Sequence, residues 1–480
     1  MSISAEALAL RCLLPGFEGV EPPQWVLDRA AAGLGGVVIF ARNVESPSQL
    51  SALTAALHRA RPHLIVAVDE EGGDVTRLEA RTGSSYPGNL ALGFVGDLML
   101  TNRVARTMGE DLAACGVDLN LAPVADVNCN PMNPVIGVRS FGADAPAVAR
   151  QTAAWIQGMQ AAGVAACAKH FPGHGAASVD SHLGLPVVDD QVLSKAGLEP
   201  FERAIASGVR AIMSAHIVDR TLDELPATIS PRVMTGLLRE SLHFDGPAIT
   251  DGLEMRAITD GLGIGEGAVK ALAAGCDAIC IGGGLAGPDV VDEVIGAVAG
   301  AVRQGRLPER RLADAARRVD ALASQAPQRS HAHHHDPNIG LAAARRAVRR
   351  DGAVEVGDQA AVLRFEAPPS IAAGEVPWGV AGSLAARGVR VTAVDLDPAA
   401  HDLDVLVDRA AGQSLVLVVR DLHRRPGQVE LVDALLSRRP DAVLLEMGVP
   451  SSRPARATAY LATHGSARVC GEAAAEVLRP

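Results

Sequence analysis

Lys169-His-Phe-Pro-Gly-His-Gly-Ala-Ala-Ser-Val-Asp-Ser-His182 decides how the chain is read. It holds three histidines, a lysine and an aspartate, spaced by a proline and two glycines. The preceding Val164-Ala-Ala-Cys-Ala168 is a short apolar run of the kind that forms a buried strand. Polar, turn-forming residues directly after such a strand predict a loop at its C-terminal end, where barrel enzymes keep their chemistry. A solvated loop would explain one histidine. It does not explain Phe171-Pro-Gly173 and Gly175, which impose a shape that a free loop has no need of.

Outward from this stretch, one rhythm repeats up to about residue 325. Short apolar runs predict strands at Val37–Phe40, Leu64–Val68, Val117–Leu121, Val164–Ala168, Ala211–Ser214, Pro247–Thr250 and Ala278–Ile281. Helical patterns fall between them, among them Pro47–Arg61, Leu98–Cys115, Ala147–Ala162, Glu199–Ala206 and Glu266–Ala274. Ser46 as N-cap with Pro47 at the first helical position is a clear start signal. The alternation predicts an α/β fold, a (β/α)8 TIM-type barrel, although a doubly wound open sheet shares the pattern. Nearly every predicted strand ends in a polar or charged residue: Asp69, Asn120 with Asp126, Lys169 with His170, His216 and Asp251. In a barrel these would converge on one mouth.

Residues 326–337, Ala-Pro-Gln-Arg-Ser-His-Ala-His-His-His-Asp-Pro, break the rhythm and predict a linker. His331, His333, His334 and His335 could bind a transition metal, but an exposed linker is the simpler account. A basic helix at Leu341–Arg350 then leads into a smaller α/β sandwich domain with a mainly parallel sheet. Its strands are expected at Ala361–Phe365, Val389–Val394, Leu415–Val419, Ala442–Leu445 and Ala467–Cys470, with a helix at Gly427–Arg438. The expected boundaries are therefore a barrel over 1–325, a linker and helix over 326–350, and a second domain over 351–480.

Composition narrows the function. Aromatics are only 3% of the chain, so small aliphatic residues must fill the interior. A net charge of -11 argues against a nucleic-acid partner and gives no attraction to anionic membrane. The seven cysteines are scattered without a zinc spacing, and no export signal or membrane-length apolar run is evident, which together suggest a cytoplasmic protein. Gly282-Gly-Gly284 follows a strand without the spacing of a dinucleotide loop and reads as a tight turn or a weak anion nest.

Two motifs supply paired chemistry. Asp251, in Thr250-Asp-Gly-Leu-Glu-Met255, is a carboxylate at a strand end that could serve as a nucleophile if held ionised. The competing reading is a helix N-cap, with Glu254 completing a capping box. Asp180 and His182 are two apart, so in an extended segment Asp180 could hold the imidazole in one tautomer and raise its basicity. Such a histidine can give and take a proton in one cycle. Asp69-Glu-Glu-Gly-Gly-Asp-Val-Thr-Arg77 groups acids that could bind a metal or hydrogen-bond sugar hydroxyls, with Arg77 able to neutralise or orient Asp69. Asn133-Pro-Val-Ile-Gly-Val-Arg-Ser-Phe-Gly142 presents Arg139 as a donor fork.

Taken together, these motifs resemble glycoside hydrolase family 3, in its β-N-acetylhexosaminidase branch acting on peptidoglycan fragments. Asn120-Leu-Ala-Pro-Val-Ala-Asp-Val-Asn128 completes the set, which keeps the family's order over most of residues 1–325. The resemblance implies that Asp251 is the nucleophile, His182 the general acid/base and Asp180 its partner. It implies that Asp69, Arg77, Arg139, Lys169 and His170 grip the terminal sugar; His216, at another strand end, is counted with these substrate contacts. It implies a retaining exo-β-N-acetylglucosaminidase that takes a small carbohydrate substrate and needs no cofactor or metal. A phosphorylase using the same Asp/His pair, or a sugar-binding protein without turnover, are the alternatives. Three departures from the family pattern stand out: Glu70 where many relatives have Gln, Asp74 where they have Arg, and Gly252 where Asp or Ser more often follows the nucleophile.

Overall fold

The computed structural model describes residues 3–180, 184–283, 287–324, 336–368, 370–397 and 403–480. Within them, eight parallel strands surround one axis in chain order: β1 (Leu13–Pro15), β2 (Gly36–Ile39), β3 (Ile65–Val68), β4 (Leu119–Asn120), β5 (Ala165–Phe171), β7 (Ala211–Ser214), β9 (Ala248–Thr250) and β10 (Ile279–Ile281). A two-residue ribbon, β6 (Val187–Val188) with β8 (Val218–Asp219), lies outside this ring. Strands β2 to β9 form a continuous ladder, Ile249 bridges to Ala278, and β10 pairs with β1. On the seam between β1 and β2, the Gly35 N–H donates to the Leu10 carbonyl at 3.2 Å.

β1 is absent from the sequence expectation. It is three residues long and ends in proline, so it carries no periodicity of its own and is defined only by its partner β10. The barrel bore explains the scarcity of aromatic residues. Leu14, Val38, Ala67, Leu119, Cys167, Ala211, Met213, Ile249 and Cys280 point inward and pack as one cluster with Val319, Leu322 and Ala323 of the helix Glu309–Ser324. Arg11 and Arg61, just before β1 and β3, pair with Asp320 of that helix at 3.4 and 3.1 Å. The helix therefore plugs the N-terminal end of the barrel and leaves the C-terminal end open. The cysteines in the bore act as small apolar side chains.

Local signals account for the helices. The Ser46 hydroxyl accepts from the Gln49 N–H at 3.2 Å and Pro47 opens the helix Pro47–Ala60. The helix expected from Glu199 instead runs Gln191–Ala206, because Asp190 caps it upstream and Pro200 lies inside it. Proline suggests a first turn where there is none.

The second sheet runs in the order β11 (Arg349–Asp351), β16 (Ala459–Ala462), β15 (Val443–Glu446), β14 (Ser414–Val419), β12 (Gln359–Phe365), β13 (Arg390–Leu396), all parallel except β11. Two expectations are corrected. Ala467–Cys470 is not a strand: it opens the helix Arg468–Leu478, whose Val469, Cys470, Ala473, Ala474 and Leu478 recur at helical spacing and are buried. The expected helix Leu341–Arg350 ends at Ala347, and Arg349–Asp351 pairs with β16. That helix, Ile339–Ala347, sets Ile339 and Ala343 in the barrel core and Ala344 in the core of the second sheet. The histidine tract His331–His335 lies outside the described residues.

Asp74 holds the two sheets together. Its carboxylate accepts from the Ser466 N–H (3.0 Å), the Ser466 hydroxyl (2.7 Å) and Arg420 (2.5 Å), and its side chain is 4% exposed. The departure from the family pattern at this position is thus an interdomain contact. Asp74→Ala would leave the Arg420 guanidinium buried without its counter-ion. We expect a loss of about 3 kcal/mol in urea unfolding, with Asp74→Asn falling between the two.

Candidate active site

The open end of the barrel holds a cavity of about 480 Å³. Asp69 after β3, Lys169 and His170 of β5, and Asp251 after β9 all line it, together with Glu71, Arg77, Arg139 and His174 from the connecting loops. Six of the nine predicted site residues are therefore brought to one space.

Charge compensation organises the floor. Lys169 Nζ lies 2.6 Å from Asp69 Oδ1 and 2.7 Å from Glu71 Oε1. Arg139 grips Glu71 with two parallel bonds, Nε to Oε2 at 2.9 Å and Nη2 to Oε1 at 2.8 Å. Burial alone would push Glu71 towards its neutral form, but Arg139 and Lys169 hold it well below the usual carboxylate range. Burial likewise works against the Lys169 ammonium, and Asp69 and Glu71 outweigh it, keeping that group above its ordinary value. Arg77 Nη2 stands 4.0 Å from Asp69 Oδ2.

Asp126, fully buried, fixes the next layer. It accepts from His170 Nδ1 (2.7 Å), from the His170 N–H (3.3 Å) and from the His174 N–H (2.6 Å). A proton on His170 Nδ1 satisfies that carboxylate and leaves Nε2 as the ring's other polar atom. His174 is buried, and among the described residues neither of its ring nitrogens has a hydrogen-bond partner. Burial pushes its pKa down to about 4, so it is a neutral imidazole at ordinary pH.

Asp251 follows the last residue of β9. Its N–H donates to the Ser214 carbonyl of β7 at 3.2 Å, and its Oδ1 accepts from the Gly252 N–H at 2.8 Å. The N-cap reading fails here. The next helix begins only at Arg256, and the Glu254 carboxylate takes the N–H groups of Gly282 (3.0 Å) and Gly283 instead. The glycine turn after β10 is thus an anion nest filled by the protein's own glutamate.

His216, expected as a substrate contact, is placed behind the Asp251 turn. It does not line this cavity: its ring is buried, with Nδ1 2.8 Å from Thr228 Oγ1 and Nε2 3.0 Å from the Gly252 carbonyl, so it braces the turn that carries Asp251. Asp180 lines an adjoining cavity, and its carbonyl accepts from the Gly184 N–H at 3.0 Å. His182 lies outside the described residues.

Several residues here are not among the site residues expected from sequence. Asp126 has a signal, since it follows a predicted strand. Glu71 stands in the acidic motif after β3, but its pairing with Arg139 spans 68 residues and has no local signal. Nor do Ile371–Glu375 of the second domain, which line the same cavity, with Ala372 and Ala373 accepting from the Arg77 guanidinium at 2.8 and 3.3 Å.

Residues 24–322 match the model of the glycosyl hydrolase family 3 N-terminal domain. The chain belongs to this family. It is 34% identical over 325 residues to β-hexosaminidase A of Pseudoalteromonas piscicida, covering 62% of this chain and 54% of that protein, so it spans about half of that relative's length. It is 38% identical over 272 residues to a β-hexosaminidase of Nitrosomonas eutropha, covering 55% of this chain and 76% of the relative. A solved family 3 β-N-acetylglucosaminidase from Paenibacillus sp. superposes with a TM-score of 0.89 at 30% identity, covering 100% of this chain and 97% of that one.

Glu70, another departure from the family pattern, yields a pH prediction. Its Oε2 accepts from Thr76 Oγ1 (3.1 Å) and from the N–H groups of Arg77 (2.8 Å) and Leu78 (3.0 Å), yet burial pushes its pKa up to about 7 from 4.5. The folded protein favours the protonated form. The group costs nothing below pH 4.5, and stability is lost as pH rises from there through 7. Glu70→Gln keeps an acceptor oxygen and removes the charge. It should melt like wild type at pH 4.5 and be more stable at pH 8, by on the order of 3 kcal/mol.

Proposed function

We propose that this protein is a retaining exo-β-N-acetylglucosaminidase that releases terminal GlcNAc from peptidoglycan-derived or related β-glycosides. The observation that carries this reading is that Asp251 opens into the same cavity as Asp69, Lys169, His170 and Arg139. One carboxylate thus faces a set of donors and acceptors suited to hydroxyl and amide groups. The plugged barrel behind and the open mouth in front suit a single terminal sugar.

In this mechanism Asp251 attacks the anomeric carbon while His182 protonates the departing glycosidic oxygen. The bond to the leaving group breaks as the bond to Asp251 forms, giving a glycosyl ester. His182, now neutral, takes a proton from water, the water oxygen attacks the same carbon, and Asp251 leaves as a carboxylate. Two inversions give net retention. Asp180 would hold the imidazole, and its place in the adjoining cavity supports a leaving-group side for that dyad. His216 would keep the Asp251 turn in register through the Gly252 carbonyl.

We place this chemistry inside the cell. All seven cysteines are free thiols, as a reducing compartment keeps them. No helix among the described residues is long and apolar enough to cross a membrane.

Asp251→Ala should lower turnover of nitrophenyl β-GlcNAc by about a thousandfold or more. Added azide should restore release of nitrophenol and yield the α-glycosyl azide, since azide would enter from the face that Asp251 vacates. Near wild-type turnover by Asp251→Ala would overturn the assignment.

A further inference from the structure

One polar side chain of the catalytic cavity has no task in the mechanism above. His174 lines that cavity and is 3% exposed, and among the described residues neither of its ring nitrogens has a hydrogen-bond partner. We propose that His174 is a specificity residue: its ring hydrogen-bonds the 2-acetamido group of the terminal sugar and discriminates it from a 2-hydroxyl. The inference rests on the glycosidase reading and assigns one residue to one substituent of the sugar.

A buried imidazole without partners is costly, because its N–H and its lone pair have both given up water. The fold nevertheless holds it in place. The His174 N–H donates to Asp126 at 2.6 Å. Its carbonyl accepts from Asn133 Nδ2 at 2.8 Å and from the Ala177 N–H at 3.2 Å. The ring meets the His170 ring edge to face, with centroids 6.1 Å apart. Backbone tethers on both sides and this ring contact leave the imidazole little freedom to turn towards another protein group. A polar group kept in that state is preorganised for a ligand that brings the missing partner.

The surroundings select the ligand group. Burial keeps the ring neutral, with one donor and one acceptor. The cations of the floor are already engaged, Lys169 with Asp69 and Glu71, and Arg139 with Glu71. An uncharged ring suits an uncharged group. Asn133 also ties His174 to an apolar neighbour: its Oδ1 accepts from the Val135 N–H at 2.9 Å, and Val135 lines the same cavity. An imidazole and a valine side by side match an acetamide, which presents an N–H, a carbonyl and a methyl group together. A hydroxyl has nothing to set against the valine. Position agrees with this. Asp251 must face the anomeric carbon, and its charge acts on His174. The substituent next to that carbon is the one at C2.

The test compares nitrophenyl β-GlcNAc with nitrophenyl β-glucoside, which differ only at C2. His174→Phe should lower kcat/KM for the first by about thirtyfold and for the second by less than about threefold, so the preference falls about tenfold. His174→Leu repeats the measurement without the bulk of the phenyl ring, and His174→Gln, which restores a donor and an acceptor, should recover part of the preference. Where the glucoside turns over too slowly to measure, competitive inhibition by free GlcNAc and free glucose gives the same comparison. Thermal melting separates this role from a structural one. Removing two unpaired buried atoms should leave the Tm of the free His174→Phe enzyme at or above that of wild type. Equal losses on both substrates in the Phe and Leu variants would overturn the assignment of His174 and leave the glycosidase reading intact. Failure of wild type to release nitrophenol from the GlcNAc substrate would overturn both.

Discussion

The Glu71 carboxylate, shared between Lys169 and Arg139 beneath the barrel mouth, is the contact on which the rest of the site depends. All three side chains are nearly inaccessible to water. Removing any one would strand the others' charge in a medium that solvates it poorly. The cluster joins the loop after β3, the strand β5 and the turn Gly137–Arg139, so it also fixes distances between parts of the chain far apart in sequence. Lys169 then carries its ammonium on to Asp69, which is more exposed. The outcome is a floor of balanced charge with polar atoms to offer, able to meet an uncharged sugar without demanding a counter-ion from it.

A second layer repeats that logic with hydrogen bonds. Asp126 gathers the His170 ring and two backbone N–H groups, ordering the chain from His170 to His174. Gly175 then passes so close to Val127 that a Cβ there would stand 1.8 Å from its carbonyl oxygen. Gly175 is therefore demanded by packing against the loop that bears Asp126.

The sequence made the barrel and most of the cavity legible because both are local. Seven of the eight barrel strands show as short apolar runs, and five of them end in a polar or charged residue that is visible in the same short window. What escapes is non-local. β1 exists only through its pairing with β10, and β16 is displaced by a helix whose alanines resemble a strand in a short window. His216 sits at a strand end like its neighbours, but its ring turns sideways to Thr228 and the Asp251 turn, and nothing in residue order reports that direction. Asp74 looks like a departure from a sugar-binding pattern because its partners, Ser466 and Arg420, lie hundreds of residues away. The contribution of the second domain to the cavity is hidden for the same reason.

The helix Ile339–Ala347, with one side seated in each core, works as a strut. Because it is anchored at both faces, it spaces the two cores, and with them Asp251 on the barrel from the second-domain turn that carries Ile371. Such an enzyme would discriminate in the manner of a gauge: what fits between the fixed jaws is accepted, and little is gained by closing around it.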